Sequence, residues 1–150
     1  MKTGLGLAIS TLVVISVGML FAQSGPPSGV TGAAVINSGE AKWQHDTSDP
    51  AGSESSVLRE DAATGALELF VRYPAGHVFP PHWHSANERI ILLEGRMSIQ
   101  VGGTKKSLEP GGFAYLPAKE IQELACVSST RCAFYVYWDS KLDFNKVSGN

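Results

Sequence analysis

The stretch from Gly76 to Gly95 reads GHVFPPHWHSANERIILLEG. Pro80 and Pro81 exclude helix and hold the chain extended as it approaches His82. An extended chain sends alternate side chains to one face, so His82 and His84 are expected to point the same way. Glu88 has the same parity and opens the apolar run Ile90-Ile91-Leu92-Leu93. Two imidazoles and a carboxylate converging from one wall make a facial set, which suits a divalent transition metal with positions left open. Trp83 lies between the histidines and must face away from them, as a packing residue. His77 is of opposite parity to His82 and is expected to face solvent.

Written as G-x5-H-x-H-x3-E-x6-G, the stretch resembles the first signature motif of the cupin superfamily without gap or mismatch. The resemblance implies an all-β, single-domain jelly-roll barrel with a metal held inside it. The family's second motif runs from a Pro-x-Gly turn through a strand to a third metal-binding histidine. Pro110-Gly111-Gly112 matches the turn, and Leu116-Pro117-Ala118 matches the element before that histidine. The position five beyond Pro117 carries Gln122 instead, and the four histidines stand at 45, 77, 82 and 84. A glutamine amide oxygen is a harder and weaker donor than imidazole. Gln122 either contacts the metal, directly or through water, or only hydrogen-bonds within the barrel. His82, His84 and Glu88 supply the two-histidine, one-carboxylate set without it.

The rest of the chain reads as the barrel around this wall. Val57 to Glu60 and Ala66 to Tyr73 are antiparallel strand partners across Asp61-Ala62-Ala63-Thr64-Gly65, with Leu67, Leu69, Val71 and Tyr73 on one face. Met97 to Val101 alternates cleanly, and Gly102-Gly103 signals a hairpin. Phe113 to Pro117, Ile121 to Val127 and Cys132 to Trp138 are the remaining strands. Short strands at close spacing, with no internal repeat and no sustained helical period, read as one β-sandwich or barrel. Met97, Ile99, Leu124 and Phe134 are expected inside it, first as core and then as lining of a small apolar pocket. Arg89 and Arg96 are expected on the outer face or rim. His45, near Trp43, is read as an ordinary surface histidine, though it could close over the barrel mouth.

With 150 residues, 43% apolar and 17% charged, the chain is one domain of ordinary composition. A formal charge of −2 offers no basic surface to nucleic acid or anionic membrane. Lys2 precedes an acid-free apolar run from about Leu5 to Ala22, and Gln23-Ser24-Gly25-Pro26-Pro27 follows without stop-transfer charges. That pattern describes a secretory signal over 1–22, with an uncleaved anchor as the alternative. Residues 23–55 then form a leader and wrapping segment, 56–140 the barrel and 141–150 a C-terminal tail. Export to a secreted or periplasmic location would allow Cys126 and Cys132 to bridge across a hairpin loop, if the strand register brings them together. Otherwise they are two small buried thiols.

The cupin resemblance implies one divalent ion (zinc, manganese, iron or copper) and a small-molecule ligand or substrate. A metal-dependent, dioxygenase-like oxidoreductase is the leading expectation. A non-catalytic module that binds or senses a metal or small molecule is the alternative, as in the ChrR-type sensor domains. A metal-free structural barrel, with His82, His84 and Glu88 as a hydrogen-bonded polar cluster, is a third. Family members commonly form homodimers through sheet edges, and the resemblance suggests the apolar strand Ala133 to Trp138 for that role.

Overall fold

The computed structural model describes residues 32–47, 49 and 51–147, so the expected signal segment 1–22 lies outside the described residues. Among the described residues, eleven strands form two antiparallel sheets. The six-stranded sheet contains β1 (Gln44–His45), β2 (Glu54–Glu60), β3 (Leu67–Tyr73), β5 (Glu88–Glu94), β8 (Phe113–Leu116) and β10 (Cys132–Trp138), in the order β1-β2-β3-β10-β5-β8. The five-stranded sheet contains β4 (Val78–Trp83), β6 (Met97–Val101), β7 (Thr104–Leu108), β9 (Gln122–Cys126) and β11 (Asn145–Lys146), in the order β11-β4-β9-β6-β7.

Period-two burial builds the core. Leu69, Val71 and Tyr73 of β3, Ile90 and Leu92 of β5, Met97 and Ile99 of β6, and Phe134 and Val136 of β10 bury alternate side chains between the sheets. Met97, Ile99, Leu124 and Phe134 all belong to this cluster. The wrapping segment is largely irregular, with β1 its short strand; Trp43 stacks on Phe70, and the Arg72 guanidinium lies 3.5 Å over the Trp43 ring.

The two glycines that bound the signature stretch do different work. Gly76 takes φ +73° in open space, so the turn into β4 needs its backbone freedom alone. Gly95 takes φ +80° between β5 and β6. A Cβ there would lie 2.7 Å from the Arg131 carbonyl oxygen and 2.9 Å from Cys132 Sγ. The second sulfur is bridged to Cys126 in a disulfide that joins the ends of β9 and β10.

Four features differ from the sequence expectation. His77 is buried, with Nε2 3.3 Å from Asp49 Oδ2 and its ring 4.4 Å from that of Tyr73. The cause is a bulge in β4: Phe79 faces Leu124 and His82 faces Gln122, so Pro80-Pro81 sits against a single residue of β9. Neither proline can donate to the ladder, and the extra residue reverses parity so that His77, Phe79 and His82 share the inner side. Second, Glu88 does not share a wall with the histidines. The bend at Ser85 and Ala86 carries the chain from the five-stranded to the six-stranded sheet, so the carboxylate faces them from across the core.

Third, Cys132–Trp138 is no edge. β10 pairs along its length with both β3 and β5, and β1 and β8 hold the edges of that sheet. Phe113 and Tyr115, on edge strand β8, are exposed. Fourth, residues 141–147 of the expected tail return to the barrel. β11 pairs Asn145 with Trp83 and Lys146 with His82, and Val147 N donates to the Pro81 carbonyl at 3.2 Å.

Candidate functional site

His82, Gln122, Glu88 and His84 are all buried and meet between the sheets. Cross-strand pairing fixes the first two, because His82 on β4 lies directly opposite Gln122 on β9. Pairing of β5 with β10 sets Glu88 opposite Trp138. His84 follows β4 and is held by its backbone, whose carbonyl accepts from Lys119 N at 2.8 Å. Asn87, just before Glu88, ties the crossing together. Its N and Nδ2 donate to Asp139 at 3.0 and 2.8 Å, and its Oδ1 accepts from Tyr115 Oη and Ala118 N at 2.9 and 3.0 Å.

Both imidazoles are fixed in one tautomer. His82 Nδ1–H donates to the Pro80 carbonyl at 2.7 Å, and His84 Nδ1–H donates to the Asp143 carbonyl. Each Nε2 is therefore left as a lone pair turned inward. His82 Nε2 accepts from Gln122 Nε2 at 3.2 Å, and His84 Nε2 lies 3.5 Å from Glu88 Oε2. Gln122 Nε2 also donates to Glu88 Oε2. The amide thus bridges the histidine of one sheet and the carboxylate of the other.

Burial dominates the electrostatics. It lowers His82 to about 4 and lowers His84 as well, so both rings are neutral near pH 7. It raises Glu88 to about 7 against the opposing hydrogen bond from Gln122. The Trp138 indole N–H lies close enough to Glu88 to lower its pKa, yet is buried with no partner in hydrogen-bonding geometry.

The chemistry of the donor set fits a divalent transition ion: two imidazole lone pairs, one carboxylate, and an amide whose oxygen can ligate. Its spacing is that of a hydrogen-bonded polar cluster. Among the described residues, no three His, Cys, Asp or Glu side chains stand in metal-ligating geometry. The reason is local, since the Gln122 amide nitrogen fills the space between His82 Nε2 and Glu88 Oε2.

In sequence, residues 31–140 match the family described as the ChrR cupin-like domain. The chain belongs to that family. Solved structures carry the same cupin fold at low identity. The polyketide cyclase RemF from Streptomyces resistomycificus is similar with a TM-score of 0.65 and 18% identity, over 79% of this chain and 88% of that one. A cupin 2 conserved barrel domain protein from Rhodopseudomonas palustris is similar with a TM-score of 0.64 and 12% identity, over 77% and 85%. An RmlC-like cupin from Shewanella frigidimarina gives 0.59 and 14%, over 73% and 92%. At such identities the likeness shows the fold alone. No curated protein matches the chain in sequence.

Within this cupin, the remaining histidine, His45, is exposed on β1. Arg89 packs near Tyr115 and Tyr137 and pairs with Asp139 at 3.4 Å, while exposed Arg96 pairs with Glu109 at 2.7 Å. Sequence reasoning missed three side chains at the site: Trp138, Asp143 and Phe144. Parity with Phe134 turns Trp138 inward, and strand pairing sets it opposite Glu88. The sequence signal for the other two is the aromatic Phe144, set among Leu142, Val147 and polar residues in the tail.

Proposed function

We propose that this cupin is an exported protein that binds one divalent transition-metal ion (zinc, manganese, iron or copper) through His82, His84 and Glu88. With that ion it acts on a small molecule as a dioxygenase-like oxidoreductase. The observation that carries the reading is the pair of Nδ1–H donations, to Pro80 and to Asp143, which leaves both Nε2 lone pairs turned inward, that of His84 toward Glu88 and that of His82 toward the Gln122 amide. A second partner on each ring is how proteins commonly orient metal-binding imidazoles. A bound ion would supply Lewis-acid or redox chemistry at positions the protein leaves open.

The chain's own part is to hold donors from two facing sheets and to exclude water with Phe79, Trp138 and Phe144. Gln122 must yield for an ion to reach both His82 and Glu88. Turning its amide would exchange Nε2 for Oε1 and convert a donor into a ligand. Export is supported by the apolar run ending near Ala22 and by the Cys126–Cys132 disulfide, since such bonds persist in oxidising compartments. The oxidoreductase assignment rests on the cupin resemblance, and a polyketide cyclase on the same fold supports enzymatic use of such a barrel.

Near-complete burial of all four polar side chains favours a second reading, in which the site holds an ion or small ligand without turnover. Metal analysis of mature protein purified without chelator tests the first step, beside His84→Ala and Gln122→Ala. One ion per chain in wild type, lost in His84→Ala, supports the site; a wild type that takes up no divalent ion overturns it. Oxygen uptake by the loaded protein with small carbonyl or phenolic compounds then separates the readings. Turnover supports the oxidoreductase, and ligand-induced thermal shifts without turnover support the binding module.

A further inference from the structure

The segment following β10 returns to the barrel and closes over the two histidines. Its backbone supplies the His84 acceptor at Asp143. The Asp143 carboxylate accepts from Ser85 N and Ser85 Oγ, both at 2.7 Å, and from Asn145 Nδ2 at 3.0 Å. Asn145 Nδ2 also donates to the Trp83 carbonyl at 3.3 Å. Between these anchors, Phe144 lays its ring 4.8 Å from His82, 5.3 Å from Phe79 and 6.2 Å from His84. Its other side is open, for Phe144 is 41% exposed while His82 and His84 are 2% and 6% exposed. One side chain therefore separates both imidazoles from solvent along this side.

The anchorage is local and short. β11 has two residues, and no residue of 141–147 is fully buried. Beyond the partial packing of Leu142 on the core, the strap is held by hydrogen bonds, those to Ser85 at the surface. Segments of that kind open at low free energy while the core stays folded. Opening here would have two linked effects. It would uncover His82 and His84, and it would take away the carbonyl that holds the proton on His84 Nδ1. Closing restores both.

We propose that the strap 141–147 is a working part of the site. Phe144 is the gate that decides which ligands reach His82 and His84, and Asp143 is the positioning residue that holds His84 ready to accept a cation when the gate is shut. Small ions pass during brief openings, and an organic ligand requires the strap to stay displaced. The accessibility part stands on the geometry alone; the cation part rests on the metal-binding reading above.

Two readouts separate these parts. Diethyl pyrocarbonate acylates unprotonated, accessible imidazole nitrogens, and peptide mass spectrometry resolves the four histidines. Exposed His45 serves as the reference, and His77, buried away from the strap, reports global opening. Phe144→Ala should label His82 and His84 at least about tenfold faster than wild type, with His45 and His77 unchanged. Ser85→Ala, which removes one latch bond at an exposed position, should move the same two histidines in the same direction by less. Equal labelling of His82 and His84 in wild type and Phe144→Ala overturns the gate, as does a parallel rise at His77.

Cobalt(II) uptake, followed by its visible absorption, gives the second readout. Faster uptake and faster loss to chelator in Phe144→Ala support the gate. Cobalt binding at unchanged rates overturns it. A wild type that binds no cobalt while its histidine labelling still responds to Phe144→Ala overturns the metal reading and leaves the gate standing.

Discussion

The Nδ1–H of His84 donates to the backbone carbonyl of Asp143, fifty-nine residues further along the chain. The same residue's carboxylate holds Ser85, the neighbour of His84, through two bonds. A residue of the presumed tail therefore fixes both the ring and the backbone next to it. Those Ser85 bonds lower the Asp143 carboxyl from 3.8 to about 2. A carboxyl depressed on folding contributes stability that is present above its unfolded pKa and is lost as pH falls through the folded one. Asp143→Asn should therefore lower the melting temperature near pH 7, and the gap to wild type should close between about pH 4 and pH 2. A gap independent of pH over that window would show that the charge contributes nothing to the latch.

Glu88 has the opposite sign. Burial raises its carboxyl from 4.5 to about 7, so in metal-free protein the folded state keeps a proton that the unfolded chain gives up. Its contribution is intact below about pH 4.5 and is lost as pH rises toward 7, by roughly 3 kcal/mol in all. His82 and His84 act against it on the acid side, since their neutral buried rings lose stability as pH falls below 6.5. Subtracting Glu88→Gln isolates the carboxyl. Urea titrations of metal-free protein should show wild type falling relative to Glu88→Gln from pH 4.5 to 7.5. A flat difference rules out the raised carboxyl.

Strand-level order was legible because alternation and turn residues agree along β3, β6 and β10, and the signature spacing located His82, His84 and Glu88. Local parity then failed where the chain left a regular ladder. Pro80-Pro81 makes a bulge, and one extra residue turns His77 inward toward Asp49. The crossing at Ser85 and Ala86 moves Glu88 to the other sheet, which a residue count cannot reveal. Trp138, Asp143 and Phe144 reach the site through contacts fifty or more residues long in sequence; alternation along β10 turns Trp138 inward with Phe134, but no periodicity announces Asp143 or Phe144. The departure at Gln122 was visible in the sequence, but its bridging role depends on cross-strand register with His82.

That bridge makes Gln122 a sensitive position. In metal-free protein its amide serves His82 Nε2 and Glu88 Oε2 together, and Gln122→Leu leaves both buried acceptors without a donor. The expected loss is about 2 kcal/mol of folding stability. Gln122→His should do the reverse for an ion, because a third imidazole replaces a weaker oxygen donor, and divalent metal should bind at least about tenfold tighter. Calorimetric titration with zinc checks the affinity. Unchanged binding in Gln122→His would place residue 122 away from the ion.

Gly95 and the disulfide are coupled through one close approach. A Cβ at residue 95 would meet the Arg131 carbonyl and Cys132 Sγ, and φ +80° is itself unfavourable for any other residue. Gly95→Ala should therefore cost about 2 kcal/mol or more, through strain and displacement of the β10 start. Breaking the bridge should cost a similar amount, about 2 kcal/mol for so short a loop. Moving Cys132 relaxes part of the clash, so the two losses should not add: Gly95→Ala measured in a Cys126→Ser/Cys132→Ser background should cost less than in the oxidised protein. Chemical denaturation of the four proteins in the cycle gives the coupling directly. Strict additivity would mean that Gly95 is required for its backbone angle and the Arg131 and Ser128 contacts, with the sulfur playing no part.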